Sequence, residues 1–349
     1  MSDAEVRVDQ DEIRRFTRDV FEKVGMPPAD AETEADVLVW ANLRGVDSHG
    51  VLRIPLYLTY LEMGSFNPSP DIRVVRETAA TMLIDADQAL GPVVTKMATE
   101  RAIEKARDVG IGWAVIRKTC HQGAMGYYAL MAAEQDMVGF ATVSGLPNMV
   151  PHGAKSPGVH NSPIAISVPA KRHRPLVLDM ATSVVAGGKI DLAVDKGVPL
   201  PLGWLVDEDG EPTTDPKFRD RMVPIGGPKG SGLALMLECM SSLMVGNPML
   251  APKLAGKEMP RGSQNSTIAA INIAAFTDVD AYKENVDKII DELKALPTTE
   301  GADEVRMPGE PEDRVHEDRL RNGVPMPQGT LDRLREVSER LGVPLFDVS

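Results

Sequence analysis

Four side chains able to move protons or grip a carboxylate fall within ten residues of one another. They are Ser48, His49, Arg53 and Tyr57, in Arg44-Gly-Val-Asp-Ser-His-Gly-Val-Leu-Arg-Ile-Pro-Leu-Tyr57. A histidine exchanges a proton near neutral pH, and a guanidinium fork matches a carboxylate with two parallel hydrogen bonds. Spaced 49, 53 and 57, three of them would share one face of a helix. Pro55 argues for another arrangement, because proline disrupts a helix interior but suits its first turn. A helix is then expected from near Ile54, with Ser48, His49 and Arg53 in the loop leading into it. Either geometry can aim the polar groups at one pocket, and an ordinary loop with solvated side chains has the same local sequence.

Three further stretches carry chemistry. His121, in Lys118-Thr-Cys-His-Gln-Gly123, follows an expected strand and precedes an expected helix. Open α/β sheets bind ligands at such strand ends, beside helix N-termini; a histidine capping a loop is the plainer alternative. Leu178-Asp-Met-Ala-Thr-Ser183 joins a strand to a helix. Asp179 stands at the strand end, and Thr182 or Ser183 is placed to cap the helix. Gly226-Gly-Pro-Lys-Gly-Ser-Gly232 opens another helix with close-approach glycines and a lysine, which is phosphate-binding chemistry or a flexible loop. No GxGxxG follows a strand, which argues against a Rossmann site. Cys120 adjoins His121, yet no second Cys–His pair has ligand spacing, so no metal is expected. His152, His160, His173 and His316 also lack such spacing, and His173 reads as part of a solvated turn between strands.

The elements that must position these residues follow from hydrophobic period. Residues 9–24 read as an amphipathic helix with Ile13, Phe16, Val20 and Val24 on one face, and 28–42 as a second. The helix after Pro55 ends at Gly64. Asn67-Pro-Ser-Pro70 marks a domain boundary. Beyond it, strands at 72–75, 81–84, 112–116, 138–143, 164–168, 176–178 and 268–273 alternate with helices at 93–106, 124–135, 183–196, 231–245 and 279–296. That alternation predicts an α/β sheet. The 231–245 helix is apolar on nearly every face and is expected to be buried. The stretch from Pro308 is charged and proline-rich, and ends in a helix over 330–341.

The 349 residues suffice for two domains or one large one. With only 4% aromatics, the core must be filled by aliphatic residues and the 18 methionines. A net charge of −13 gives no general attraction to nucleic acid or an anionic membrane, so an anionic ligand must be held by a few placed cations and amides. Two cysteines, no signal-peptide features and no apolar run near membrane length predict a cytoplasmic protein.

Together these segments resemble the malate/L-lactate dehydrogenase family, which includes ureidoglycolate and sulfolactate dehydrogenases, diketogulonate reductase and Δ1-piperideine-2-carboxylate reductase. The matching stretches are Arg44–Gly50 with Arg53 and Tyr57, the glycine-flanked His121, Val150-Pro-His-Gly153, Leu178–Ser183, Trp204–Gly210, Gly227-Pro-Lys-Gly230 and Pro308-Gly-Glu310. The resemblance implies a non-Rossmann α/β domain binding NAD or NADP (residues 71–299), a helical substrate-side domain from the termini (1–70 and 300–349), and a homodimer. It implies a small carboxylate substrate held by Ser48, Arg53 and Tyr57, with His121 or His49 as acid/base. Asp179, Met180, Ala181, Thr182, Lys229, Gly230, Pro308, Gly309 and Glu310 would line the cofactor site. The expected reaction interconverts a 2-oxo and a 2-hydroxy acid. The alternatives are reduction of a cyclic-imine carboxylate, with Asp179 assisting, and a catalytically silent binding protein. Two departures fall near the expected nicotinamide or substrate: His160-Asn-Ser-Pro163 replaces the Gly-Thr-Asn-Pro of many members, and Leu146 stands where many have a polar residue.

Overall fold

The computed structural model describes residues 6–347. The chain starts with β1 (Arg7–Val8), α1 (Gln10–Lys23), α2 (Pro28–Leu43) and α3 (Ile54–Glu62). The Asp9 carboxylate caps α1 by accepting from the Asp11 amide, and Ile13, Phe16 and Val20 are buried as their spacing requires. Pro55 lies in the first turn of α3, so the helix starts where proline permits.

The middle of the chain holds β2 (Arg73–Glu77), β3 (Thr81–Asp85), α4 (Gly91–Val109), β4 (Ile111–Thr119), α5 (Met125–Ala133), β5 (Met137–Gly145), β6 (Ile164–Val168), β7 (Leu176–Met180) and α6 (Gly187–Asp195). It continues with β8 (Leu205–Val206), β9 (Pro212–Thr213), α7 (Pro228–Glu238), α8 (Leu250–Leu254), β10 (Gln264–Asn272) and α9 (Val279–Lys294). Seven strands form one sheet in the order β2-β3-β4-β10-β5-β6-β7. β10 lies between β4 and β5 and is antiparallel to both, with Ile268 opposite Ala114 and Ala141. Only β3 and β4 pair in parallel. Alanines of α4 and α5 pack with Ala114, Ile116, Ala141 and Ile268 in the core on one face of this sheet.

The chain ends with α10 (Glu310–Asn322), β11 (Val324–Pro325) and α11 (Gln328–Leu341). β11 pairs with β1, and Leu331, Leu334 and Val337 share one core with α1 and α3. The two ends of the chain thus fold against each other.

Three expectations change. Helix α10 occupies the stretch read only as charged and proline-rich. Pro311 sits in its first turn and no residue of it is buried, so no apolar stripe announced it. Helix α6 starts at Gly187 with no side-chain cap. Thr182 and Ser183 therefore do not cap it, and the Ser183 hydroxyl donates to the Val185 carbonyl instead. The apolar 231–245 segment is α7 followed by a π turn (Cys239–Leu243), and it is not fully covered. Leu235, Met236, Leu243 and Met244 are exposed, because only one side of the segment packs on the sheet.

Candidate active site

The stretch between α2 and α3 forms two 3₁₀ turns, Asp47–His49 and Val51–Arg53. Asn42, near the end of α2, pins both. Its Nδ2 donates to Asp47 at 2.8 Å, and its Oδ1 accepts from the Val51 amide at 2.9 Å. Helix α10 holds the loop from the other side. Arg319 forks onto the two Asp47 oxygens at 2.6 and 2.9 Å, and Arg44 donates to Asp313 at 2.5 Å.

On this frame five of the expected residues converge. The rings of His49 and His121 stack with centroids 5.4 Å apart. The buried Tyr57 hydroxyl lies 2.6 Å from His121 Nδ1, and the Gly123 amide donates to the same nitrogen at 3.2 Å. A backbone N–H can only donate, so Nδ1 carries no proton. Tyr57 therefore donates as well, and the neutral ring bears its hydrogen on Nε2. The His121 carbonyl accepts from the Gly91 amide at the start of α4, and Cys120 Sγ donates to the Ser65 carbonyl, which fixes this segment at the end of β4. Burial pushes the Cys120 thiol up to about 12, so it behaves as an inert apolar group.

Arg53 is buried with its Nε on the Ser48 carbonyl at 2.7 Å, and the Ser48 hydroxyl lies 2.9 Å from His49 Nδ1. The uncapped N-terminus of α6 abuts this group. A Cβ on Gly188 would come within 2.1 Å of Arg53 Nη2 and 2.6 Å of the Ser48 carbonyl, so only glycine allows the approach. Desolvation, then the charges of Arg53 and Lys189, lowers His49 to about 3. Desolvation, then Arg53 and the other histidines, holds His121 well below 6.5. Both rings are neutral at physiological pH, and burial keeps Tyr57 protonated.

The sequence placed the His160-Asn-Ser-Pro163 segment near the site without giving His160 a contact, and it passed over a second feature. His160, buried beyond β5 and lowered to about 4 by desolvation, lies close enough to act on His121. Asp191 and Arg219 join Arg53 through one carboxylate oxygen. The replacement of Gly-Thr-Asn-Pro by His160-Asn-Ser-Pro163 was the available signal for the first; nothing local marked the second.

The other expected residues form a separate group. The Asp179 carboxylate accepts from the Gly126 amide at the start of α5 at 2.7 Å and makes no hydrogen bond to either histidine. Solvent reaches this residue, but the protein walling it raises the carboxyl to about 6 by desolvation, against the Gly126 bond. Met180 and Ala181 lead on to Thr182, whose carbonyl accepts from the Ile225 amide at 2.9 Å. This brings the 179–183 segment against the glycine-rich turn before α7. Gly230 fits there because a Cβ would lie 2.4 Å from the Thr182 carbonyl. Lys229 is exposed in the first turn of α7. The Thr182 hydroxyl is buried without a partner, an unmet donor of the kind a ligand satisfies. An unpaired hydroxyl, a lysine and an uncapped helix start fit a dinucleotide with its phosphates. Pro308 and Gly309 lie along β7, where the Pro308 carbonyl accepts from the Val177 amide at 3.0 Å. Glu310 turns to Lys294 and Arg314, and these ion pairs outweigh desolvation and lower its carboxyl to about 2.

A proton-bearing imidazole beside a buried guanidinium suits an enzyme that acts on a carboxylate-bearing substrate. Comparison with known proteins makes this specific. The malate/L-lactate dehydrogenase model matches residues 8–335, and the chain belongs to that family. It is 40% identical to the L-sulfolactate dehydrogenase of Methanocaldococcus jannaschii over 96% of this chain and 97% of that protein. The solved malate dehydrogenase of Pyrococcus horikoshii aligns with a TM-score of 0.88 at 34% identity, covering 98% of this chain and 97% of the other. The malate dehydrogenase of Entamoeba histolytica gives 0.91 at 29% identity, covering 98% and 99%. The chain is thus an oxidoreductase of hydroxy and oxo acids on a mixed α/β fold.

Proposed function

We propose that the protein interconverts a 2-oxo acid and a 2-hydroxy acid with NAD or NADP, and that His121 is its acid/base. The observation carrying this reading is the paired donation of Tyr57 and Gly123 to His121 Nδ1, which leaves Nε2–H as the group offered to a substrate. The Asp179–Thr182 and Lys229-Gly230 surfaces would hold NAD or NADP, which would supply or accept the hydride at C2. Arg53 holds the substrate carboxylate with its planar fork, helped by the Ser48 hydroxyl and the free amides of α6. The neutral His121 ring polarises the C2 carbonyl and gives its Nε2 proton to the oxygen as the hydride arrives. The Tyr57 hydroxyl, kept protonated by its burial, goes on donating to Nδ1 and holds the ring while a solvent proton replaces the one Nε2 has given. Oxidation runs the same transfers in reverse. His49 stacks on His121 and orients it.

This reading includes a helical substrate-side unit from 1–70 and 300–349 around a cofactor unit of 71–299. It also includes a cytoplasmic homodimer, which the exposed Leu235, Met236, Leu243 and Met244 support as a surface a second copy would cover. Among the described residues no helix is long and apolar enough to cross a membrane.

A panel of 2-oxo acids, neutral ketones and cyclic-imine carboxylates, each assayed with NADH and NADPH by nicotinamide absorbance, tests the proposal. Turnover confined to 2-oxo acids is expected. Turnover of the imines alone, or nucleotide binding without turnover of any compound, would contradict it.

A further inference from the structure

The buried stripe of α2 carries a carboxyl group that the scheme above leaves idle. Glu34 stands between Ala31 and Leu38 on the inward face, and it is fully buried. Neither of its oxygens makes a hydrogen bond to another group among the described residues. An ionised carboxylate in such a place is costly, and desolvation holds this carboxyl well above 4.5. Glu34 is therefore a neutral acid with a proton to donate.

Its surroundings are the rear of the acid/base group. Glu34 lies close enough to act on Tyr57 of α3, Cys120 after β4 and Tyr128 of α5. The charged side chains of α1 and α4 turn elsewhere. Arg14 and Arg18 pair with Asp36 and Glu32 on the exposed side of α2, and Lys96 pairs with Glu100. Gln122 adjoins the same group. Its carbonyl accepts from the Tyr128 hydroxyl at 2.7 Å and its Oε1 from Thr95 at 2.9 Å, but its Nε2 is buried without a partner. The next residue, Gly123, presses on α2, where a Cβ would lie 3.0 Å from Val37 Cγ1. Two unmet donors thus share one region with Tyr57. The Tyr57 oxygen gives its hydrogen to His121 and keeps lone pairs free to accept.

We propose that Glu34 is a positioning residue for the reaction: as a neutral acid it joins Gln122 in donating to a buried water, and that water donates to the Tyr57 oxygen. This rests on the reading of His121 as acid/base. Buried waters settle where several unmet polar groups face one another. A water that accepts from Glu34 and Gln122 has its own hydrogens left to give, and one falls on Tyr57. The single hydrogen of Tyr57 is then directed to His121 Nδ1, and Nε2–H stays turned to the substrate. An ionised Glu34 would reverse the direction, drawing the water's hydrogen and then that of Tyr57 away from His121.

Glu34→Leu and the unbranched Glu34→Met remove the donor, whereas Glu34→Gln keeps one; thermal unfolding shows which variants fold. The readouts are kcat and KM for a 2-oxo acid at neutral pH, and nitrogen NMR of protein labelled at histidine, with His121 assigned through His121→Ala. The apolar variants are expected to lower kcat by roughly 2- to 10-fold, the weight of one neutral hydrogen bond, with KM held. Their Nδ1 resonance is expected to move downfield as that nitrogen loses the Tyr57 hydrogen. Glu34→Gln is expected to recover most of both effects. Either change without the other overturns the proposal, as do unchanged values in both and an equal loss in Glu34→Gln. Should His121→Ala keep its turnover, the acid/base reading fails instead. The resonance then decides alone: its movement in the apolar variants would still carry the donor chain, and an unmoved resonance would overturn it.

Discussion

His121 owes its role to what touches its far side. Two donors, a tyrosine hydroxyl and a backbone amide, fix the tautomer, and desolvation with the nearby Arg53 keeps the ring neutral. His160 shares this environment, and its effect is measurable in stability. Its pKa drops from 6.5 to about 4 on burial. The folded state therefore binds fewer protons than the unfolded state between these values. The resulting stability is fully present above pH 6.5 and is lost as the pH falls toward 4, by on the order of 3 kcal/mol. Thermal unfolding of His160→Asn between pH 7 and 4 is expected to show a shallower acid decline than wild type. An unchanged slope would show that His160 is solvated and does not contribute. The sequence made Ser48, His49, Arg53 and Tyr57 legible as a unit because they lie within ten residues of each other. The departure at 160–163 pointed His160 toward the site, but its burial could not be read, since that depends on its packing beside Gly145 at the end of β5.

Among the elements, α10 and α6 do most to place the cleft. Helix α10 clamps the loop through two ion pairs, its Arg319 with Asp47 and its Asp313 with Arg44, contacts that bridge more than 260 residues of chain. Its own sequence has no apolar face to betray it, because it binds through charges. The starts of α1 and α3 could be read, since Asp9 caps the one and Pro55 fixes the other. The start of α6 could not, because nothing caps it. Its first turn must instead pass close to Arg53, which gives a test at this scale. Gly188→Ala puts a methyl where Arg53 Nη2 and the Ser48 carbonyl now sit, 2.1 and 2.6 Å from it. The variant is expected to raise KM for a 2-oxo acid by about tenfold or more, as a displaced charge-assisted contact would, while nucleotide affinity holds. A wild-type KM would mean that α6 does not set the position of Arg53.

At the scale of the whole molecule, the sheet explains why no GxGxxG was found. That motif serves a βαβ crossover between parallel strands, and here only β3 and β4 are parallel. The α/β class followed from alternating periods, but the strand order did not, because β10 joins the centre of the sheet from far along the chain. Both ends of the chain meet in one core beside this sheet, and the cleft lies where Tyr57 from that core reaches His121 at the end of β4. The proton transfer at C2 rests on His121. The deciding measurement is kcat for 2-oxo acid reduction by His121→Ala, taken together with nucleotide affinity from nicotinamide fluorescence on the same folded sample. A fall in kcat of about 10²- to 10⁴-fold with unchanged nucleotide affinity is the predicted result. Near-wild-type turnover would contradict the account and move the proton transfer to His49.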